Sequence, residues 1–222
     1  MSEAQHEQMA KQEDTSATAH AAEFNPAAET KVSRCSGKQG CWTSVSNPTK
    51  EHDDDAQQHR ELAAKHRAAS AALAQAETQA CTGISDDDRD ISPFDHREDI
   101  ESVSSIQEPI KHGKHETSKL AGATVVFRAG PGMTAEWLQR VVNCHLARAA
   151  ATGHAMPEMD YCPLVLNGVS AKVASVGDGF AVSLTSEDTA TAAEILKRSQ
   201  ALAPTATTGN AATPGNAAAT VK

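Results

Sequence analysis

Periodic placement of apolar residues is concentrated between residues 120 and 203. The segment 123–128 is rich in β-branched residues, and apolar and polar residues alternate at 169–174 and again at 180–184. Alternation with a period of two is typical of half-buried strands, and the Gly-Asp-Gly sequence between the last two segments favours a hairpin turn. This part of the chain therefore predicts three strands, of which the last two are paired.

Two helices complete the region 120–203. Thr134 is a suitable N-cap for a helix that runs to about Ala151, and Ser186 is a suitable N-cap for a helix that ends the region. The order β-α-β-β-α predicts an α+β fold, in which a small antiparallel sheet carries both helices on one face. It is close to a ferredoxin-like arrangement that lacks its last strand. We expect this region to be the folded domain of the protein.

A different pattern, between residues 53 and 81, predicts one Ala-rich helix. The positions that recur at steps of three and four along it are His59, Leu62, His66, Ala69, Leu73, Ala76 and Ala80. Most of these side chains are small, so this stripe buries little apolar area and the helix is marginal alone. We expect it to pack on the folded domain, on a protein partner or on a second copy of itself.

The remaining segments have no periodic apolar positions. Alanine accounts for 41 residues, whereas Leu, Ile, Val and Phe together number 33 of 222, and the net charge is −9. Few large apolar side chains and a high net charge are typical of chains with long disordered parts. The polar segment 1–50 and the tail 204–222 are therefore predicted to be disordered, and 82–119 is predicted to be an acidic linker with short turns.

Charge and hydropathy exclude two kinds of partner. Lys and Arg form no cluster or stripe, so binding to nucleic acid is not expected. No apolar run approaches the length of a membrane span, so the sequence predicts a soluble protein. The first twenty residues contain no apolar signal segment, which predicts a cytoplasmic location for the chain as written, or export if an upstream signal was missed.

Soft metal ligands cluster in the loop after the first domain helix. His154, Met156, Met159 and Cys162 lie within nine residues, and Cys144 on the preceding helix is a further candidate. Thiolate, thioether and imidazole ligands together suit Cu(I), while Cys and His alone suit zinc. Five cysteines form an odd number without a CxxC pair, which is not the pattern of a disulfide-stapled scaffold. The sequence thus predicts a small non-catalytic protein that binds copper or zinc through this loop.

Other interpretations of the same residues stay open. Met and Cys fill gaps in apolar cores, so the loop has a purely structural explanation. The domain or the Ala-rich helix would then dock on a protein partner, as an interaction module without a metal. No nucleophile elbow, phosphate loop or paired His motif is present, so we do not expect an enzyme.

Histidines at 52, 59 and 66 recur every seven residues and therefore line one side of the predicted helix. Successive members are about 10 Å apart along a helix, so one helix alone cannot bind one ion through them. A second helix opposite them would create a pH-sensitive or metal-bridged seam. A solvated polar face is the simpler interpretation of the pattern.

Overall fold

The computed structural model describes residues 1–37, 40–112 and 115–203, and the tail 204–222 that was predicted to be disordered lies outside them. In chain order, apart from single 3-10 turns, the elements are α1 (Glu3–Glu23), β1 (Thr30–Ser36), β2 (Gly40–Ser46), α2 (Lys50–Ala80), α3 (Asp86–Asp90), β3 (Ile100–His112), β4 (His115–Arg128), α4 (Ala135–Ala151), β5 (Ser170–Val176), β6 (Gly179–Thr185) and α5 (Thr189–Leu202). Helices combined with antiparallel sheets make this an α+β protein, as the sequence predicts. None of the described helices is both long and apolar enough to cross a membrane.

Four strands form the main sheet, in the order β3-β4-β6-β5, and every neighbouring pair is antiparallel. The sequence predicted only three, because β3 lies in the segment 82–119 that was assigned to an acidic linker. The pairing of β3 with β4 shifts register between Ile100 and Ser102 and again between Ile106 and Gln107. Such bulges break the alternation of apolar and polar side chains from which a strand is recognised. The predicted β-α-β-β-α order lacked the last strand of a ferredoxin-like fold. The fourth strand of the sheet, β3, instead comes before that order in the chain.

The hydrophobic core lies between one face of this sheet and helices α4 and α5. Val125 of β4 lies opposite Val182 of β6, and Leu184 follows two residues later on the same face of the sheet. All three are fully buried, and Leu138 of α4 and Ile195 of α5 belong to the same buried cluster. Apolar burial between a sheet and two helices therefore stabilises this region.

Within the described residues 1–37 and 40–50 the polar N-terminal segment forms a helix and two strands, which corrects the prediction of disorder there. Ser2 and Gln5 form a capping box at the start of α1, because each side chain accepts a hydrogen bond from the other residue's backbone N–H. Strands β1 and β2 form a two-stranded ribbon that is closed by a disulfide between Cys35 and Cys41 and is exposed along its length. Composition underestimates the order of such a segment because neither α1 nor the ribbon needs large apolar side chains.

Helices α1 and α2 pack against each other as an antiparallel helical hairpin. The residues buried between them are small: Ala10, Ala17, Ala56, Ala63 and Ser70. Small side chains let two helix backbones approach closely. Van der Waals contacts between the backbones then stabilise the hairpin in place of buried large apolar side chains. Of the side of α2 that was predicted to dock on a partner or on a second copy, the part from His59 to Ala69 is therefore covered by α1 of the same chain.

A second disulfide, between Cys81 and Cys144, joins the end of α2 to α4. Nearby, the Arg148 guanidinium lies 3.5 Å from the Glu77 carboxylate, and Arg140 donates a hydrogen bond of 2.5 Å to the carbonyl of Thr82. The odd cysteine count thus conceals two disulfides and one free thiol among the described residues. This disulfide attaches the hairpin to the sheet domain across 63 residues of chain.

Candidate functional site

The contact between α1 and α2 has an unusual composition for a pair of packed helices. Small and titratable residues alternate along it at steps of four and three: His6, Ala10, Glu13, Ala17 and His20 on α1, and His52, Ala56, His59, Ala63 and His66 on α2. A seven-residue repeat places the titratable side chains on one side of each helix, where packed helices normally carry apolar residues. We call the six residues His6, Glu13, His20, His52, His59 and His66 the histidine seam.

The histidine seam forms three layers, because the two helices run in opposite directions. Nδ1 of His6 lies 3.0 Å from Nδ1 of His66 at one end of the hairpin. In the middle layer, His59 Nδ1 lies 2.5 Å from the Glu13 carboxylate. In the last layer, His20 Nδ1 lies 3.3 Å from Nδ1 of His52, and the His20 ring also stacks on the His59 ring of the middle layer, with ring centroids 5.4 Å apart. All six side chains are half-buried.

The last layer contains more metal-ligand atoms than the other two. Donor atoms of His20, His52 and Asp55 all lie within 4.8 Å of one another. Glu23 lies at the edge of this group, with its carboxylate 3.0 Å from His52 Nδ1, and it is not one of the donors that all lie within 4.8 Å of one another. We call these four residues the seam cluster. Each helix contributes a histidine followed three residues later by a carboxylate, a spacing that places both side chains on the same helix face.

The distance between the two imidazole nitrogens of the seam cluster matches that in a tetrahedral metal site. Zinc binds imidazole nitrogen at about 2.0–2.1 Å, which places two nitrogens of a tetrahedral site about 3.3 Å apart. The His20 and His52 nitrogens are 3.3 Å apart, and Asp55 Oδ2 lies 3.8 Å from His20 Nδ1. Two imidazoles and two carboxylates suit zinc and similar divalent ions, whereas Cu(I) prefers sulfur ligands. The seam cluster can therefore hold one ion after a small movement of its side chains.

A second close group of donors, His96, Glu98 and Asp99, lies in one turn before β3. The side chains of His96 and Glu98 are exposed over 62% and 74% of their surfaces, whereas His20 and His52 are exposed over 32% and 36%. Exposed groups from a single turn are held less firmly than the two histidines that meet between packed helices. This turn is therefore the weaker candidate.

The structure removes Cys144 from the predicted loop site. Its sulfur is bonded to Cys81, so it offers no thiolate to a metal ion. The prediction of Cys144 as a ligand is wrong because disulfide pairing depends on contacts between distant segments, which the sequence does not show.

The free thiol of Cys162 is fully buried and accepts a hydrogen bond of 3.1 Å from Ser92. Burial raises the pKa of the Cys162 thiol, and metal ions bind the thiolate form. This environment therefore disfavours Cys162 as a metal ligand.

The other loop residues make contacts of their own. His154 lies 2.9 Å through Nδ1 from the carbonyl oxygen of Val165, and with Met156 it lines a surface depression that Cys162 does not line. Met159 is half-buried and packs against the core. None of the close groups of three His, Cys, Asp or Glu ligands in the described ranges includes a loop residue. Binding of copper or zinc by the loop stays a prediction.

The residues missed by sequence reasoning are those that α1 contributes. His6, Glu13 and His20 repeat every seven residues, with the same spacing as His52, His59 and His66. Two segments that share this spacing indicate helices that face each other, and that signal was present in the sequence. The polarity of the segment 1–50 obscured it.

Comparison with known proteins adds no further residues to this site. No protein-family model matches the chain, and no curated protein or solved structure is significantly similar to it. The geometry of the helical hairpin is therefore the observation on which a functional assignment rests.

Proposed function

We propose that this protein binds a divalent transition metal, with zinc as the reference ion, and that the seam cluster holds it. The observation that carries the proposal is the meeting of two His-x-x-carboxylate pairs, His20 with Glu23 and His52 with Asp55, from facing helices. Helical bundles hold metal ions with such pairs of histidine and carboxylate projecting inward from facing helices. The protein acts as a carrier or sensor of the ion, without catalysis.

The stability of the hairpin supports a role for a bound ion. Its contact surface consists of alanines and half-buried titratable groups, which contribute little apolar burial. Two neutral imidazoles can share only one hydrogen between facing Nδ1 atoms, and two protonated imidazoles repel each other. An ion between His20 and His52 satisfies both nitrogens at once, so binding stabilises the paired helices.

We further propose that the protein works in an oxidising compartment. Four of its five cysteines are paired in disulfides, which persist in secreted and periplasmic proteins and are rare in the reducing cytoplasm. The ligand set agrees with this location, because His and carboxylate groups do not oxidise as free thiols do. Of the two locations that the sequence left open, this proposal favours export over the cytoplasm.

Zinc titration of the full-length chain tests the site, with competition against a chromophoric chelator as the readout. The double variant His20→Gln/His52→Gln is expected to weaken binding by at least about 100-fold, since two of the four ligands are lost. The matched control His154→Gln/Cys162→Ser, in the loop, is expected to leave the affinity within about twofold, a difference too small to count as a lost ligand. Far-UV circular dichroism in the absence of metal checks that both variants are folded. Binding that survives the seam variant and is lost in the loop variant would contradict the proposal.

A further inference from the structure

A cavity of about 270 Å³ lies in the sheet domain, away from the histidine seam. It is enclosed by the segment 85–99, the end of β4 and the first turns of α4. Phe127, Met133 and Trp137 contribute apolar walls, and the acidic residues Asp87 and Asp99 are also among the lining residues. Small-molecule sites are concave, mostly apolar and furnished with a few polar groups, and this volume is near the small end of their range.

The cavity is preformed, because its covering segment is fixed on both sides. Phe94 is fully buried and packs edge-on against Phe127, with ring centroids 5.4 Å apart. His145 lies 3.0 Å through Nε2 from the carbonyl oxygen of Asp88, and Arg148 donates a hydrogen bond of 2.8 Å to the Asp90 carboxylate. The segment therefore cannot collapse into the space without breaking these contacts.

The charge of the lining indicates the kind of ligand. Asp87, Asp88 and Asp99 carry three negative charges, and the single Arg on the lining, Arg128, lies 4.0 Å from the Glu101 carboxylate. An organic cation therefore finds carboxylates to pair with, whereas an anion meets repulsion. Trp137 adds an aromatic surface, which attracts cations as well as apolar groups.

We propose that this cavity binds a small organic cation with one aromatic ring, such as an arylalkyl ammonium ion. The ring lies among the apolar walls and the ammonium group pairs with Asp87 and Asp99. This binding is independent of the metal, since no residue of the seam cluster lines the cavity.

The test uses phenethylammonium as the probe, with neutral 2-phenylethanol and anionic 3-phenylpropanoate as matched controls of similar shape. The chain has two tryptophans, and Trp42 lies on the exposed β1–β2 ribbon, so a Trp42→Phe background leaves Trp137 as the fluorescent reporter. We expect a saturable change with the cation, binding of the neutral compound that is weaker by about tenfold, and none with the anion.

Two variants test which carboxylates pair with the ammonium group of the probe. Asp87→Asn/Asp99→Asn is expected to weaken phenethylammonium binding by about tenfold, whereas Glu98→Gln, a neighbouring carboxylate outside the cavity lining, leaves it unchanged. Far-UV circular dichroism and urea unfolding of the same samples are expected to match the wild type, which shows that the variants are folded. Equal affinity for all three probes, no saturable change with the cation, or an unaffected Asp87/Asp99 double variant would each overturn the proposal.

Discussion

The sheet domain and the helical hairpin are stabilised by opposite kinds of contact. Val125, Val182 and Leu184 meet in the sheet domain with no exposed surface, and their contribution depends little on pH or ions. The α1–α2 contact instead alternates alanine with histidine and glutamate, whose interactions change with protonation and with bound metal. The comparison shows that one chain can keep a permanent core and a condition-dependent contact side by side.

The largest expected effect concerns the covalent link between the two regions. Replacing both Cys81 and Cys144 with serine frees a loop of 63 residues, which is expected to lower the free energy of unfolding by about 4 kcal/mol. The matched variant Cys35→Ser/Cys41→Ser opens a loop of only six residues and is expected to cost about 2 kcal/mol. Denaturant unfolding under non-reducing conditions measures both values. Equal losses, or a larger loss from the ribbon, would mean that the hairpin is not tied to the sheet domain as described.

The second prediction tests the sheet core alone. Leu184→Ala removes a fully buried side chain and is expected to cost about 3 kcal/mol through lost burial and the cavity it leaves. Because this contact contains no titratable group, the cost is expected to be the same with and without zinc and between pH 6 and 8. Urea unfolding at each condition gives the comparison. A zinc-dependent cost at Leu184 would show that the two regions are energetically coupled.

The third prediction concerns the effect of zinc on the stability of the hairpin. Zinc at a hundred times its dissociation constant is expected to raise the free energy of unfolding by about 2.7 kcal/mol, since it binds only the folded form. The His20→Gln/His52→Gln variant is expected to show no such gain. Because metal must displace protons from imidazole, the gain is expected to shrink as the pH falls. Thermal unfolding followed by circular dichroism, with and without zinc, measures it, and a gain that persists in the variant would place the ion elsewhere.

The smallest effect is expected at His145, where α4 meets the covering segment of the cavity. Burial lowers the pKa of His145 below its ordinary 6.5, and the Arg148 charge lowers it further. The unfolded chain therefore binds a proton below pH 6.5 that the folded chain does not, so stability is lost as the pH falls through this range. A His145→Gln variant is expected to show a flatter dependence of unfolding free energy on pH than the wild type. Identical slopes would mean that folding does not change the pKa of His145.

The elements that follow one simple period were predictable from the sequence. The alternation at Val173 and Val182 and the N-cap at Thr134 are local signals, and the strands and helix occur where those signals place them. Strand β3 was not predictable in this way because its two bulges conceal the alternation. Helix α1 was missed because its buried residues are Ala10 and Ala17, which composition does not separate from a disordered segment.

The sequence showed some of the residues of the candidate site, but it did not show which segments of the chain bring them together. The seven-residue repeat of His52, His59 and His66 was recognised in the sequence. A seam was predicted only if a second helix lay opposite these residues. That partner was α1, and only the folded hairpin brings His20 within 3.3 Å of His52. The loop was predicted to bind metal because of its His, Met and Cys residues. Residue type alone cannot show that Cys144 is bonded to Cys81.

Zinc K-edge X-ray absorption on the full-length chain with one equivalent of zinc tests the central claim most directly. The seam cluster offers only nitrogen and oxygen, so the account predicts a first shell of these atoms at about 2.0–2.1 Å with the signature of imidazole. A sulfur ligand at about 2.3 Å would contradict it and return the site to the Cys and Met residues of the loop.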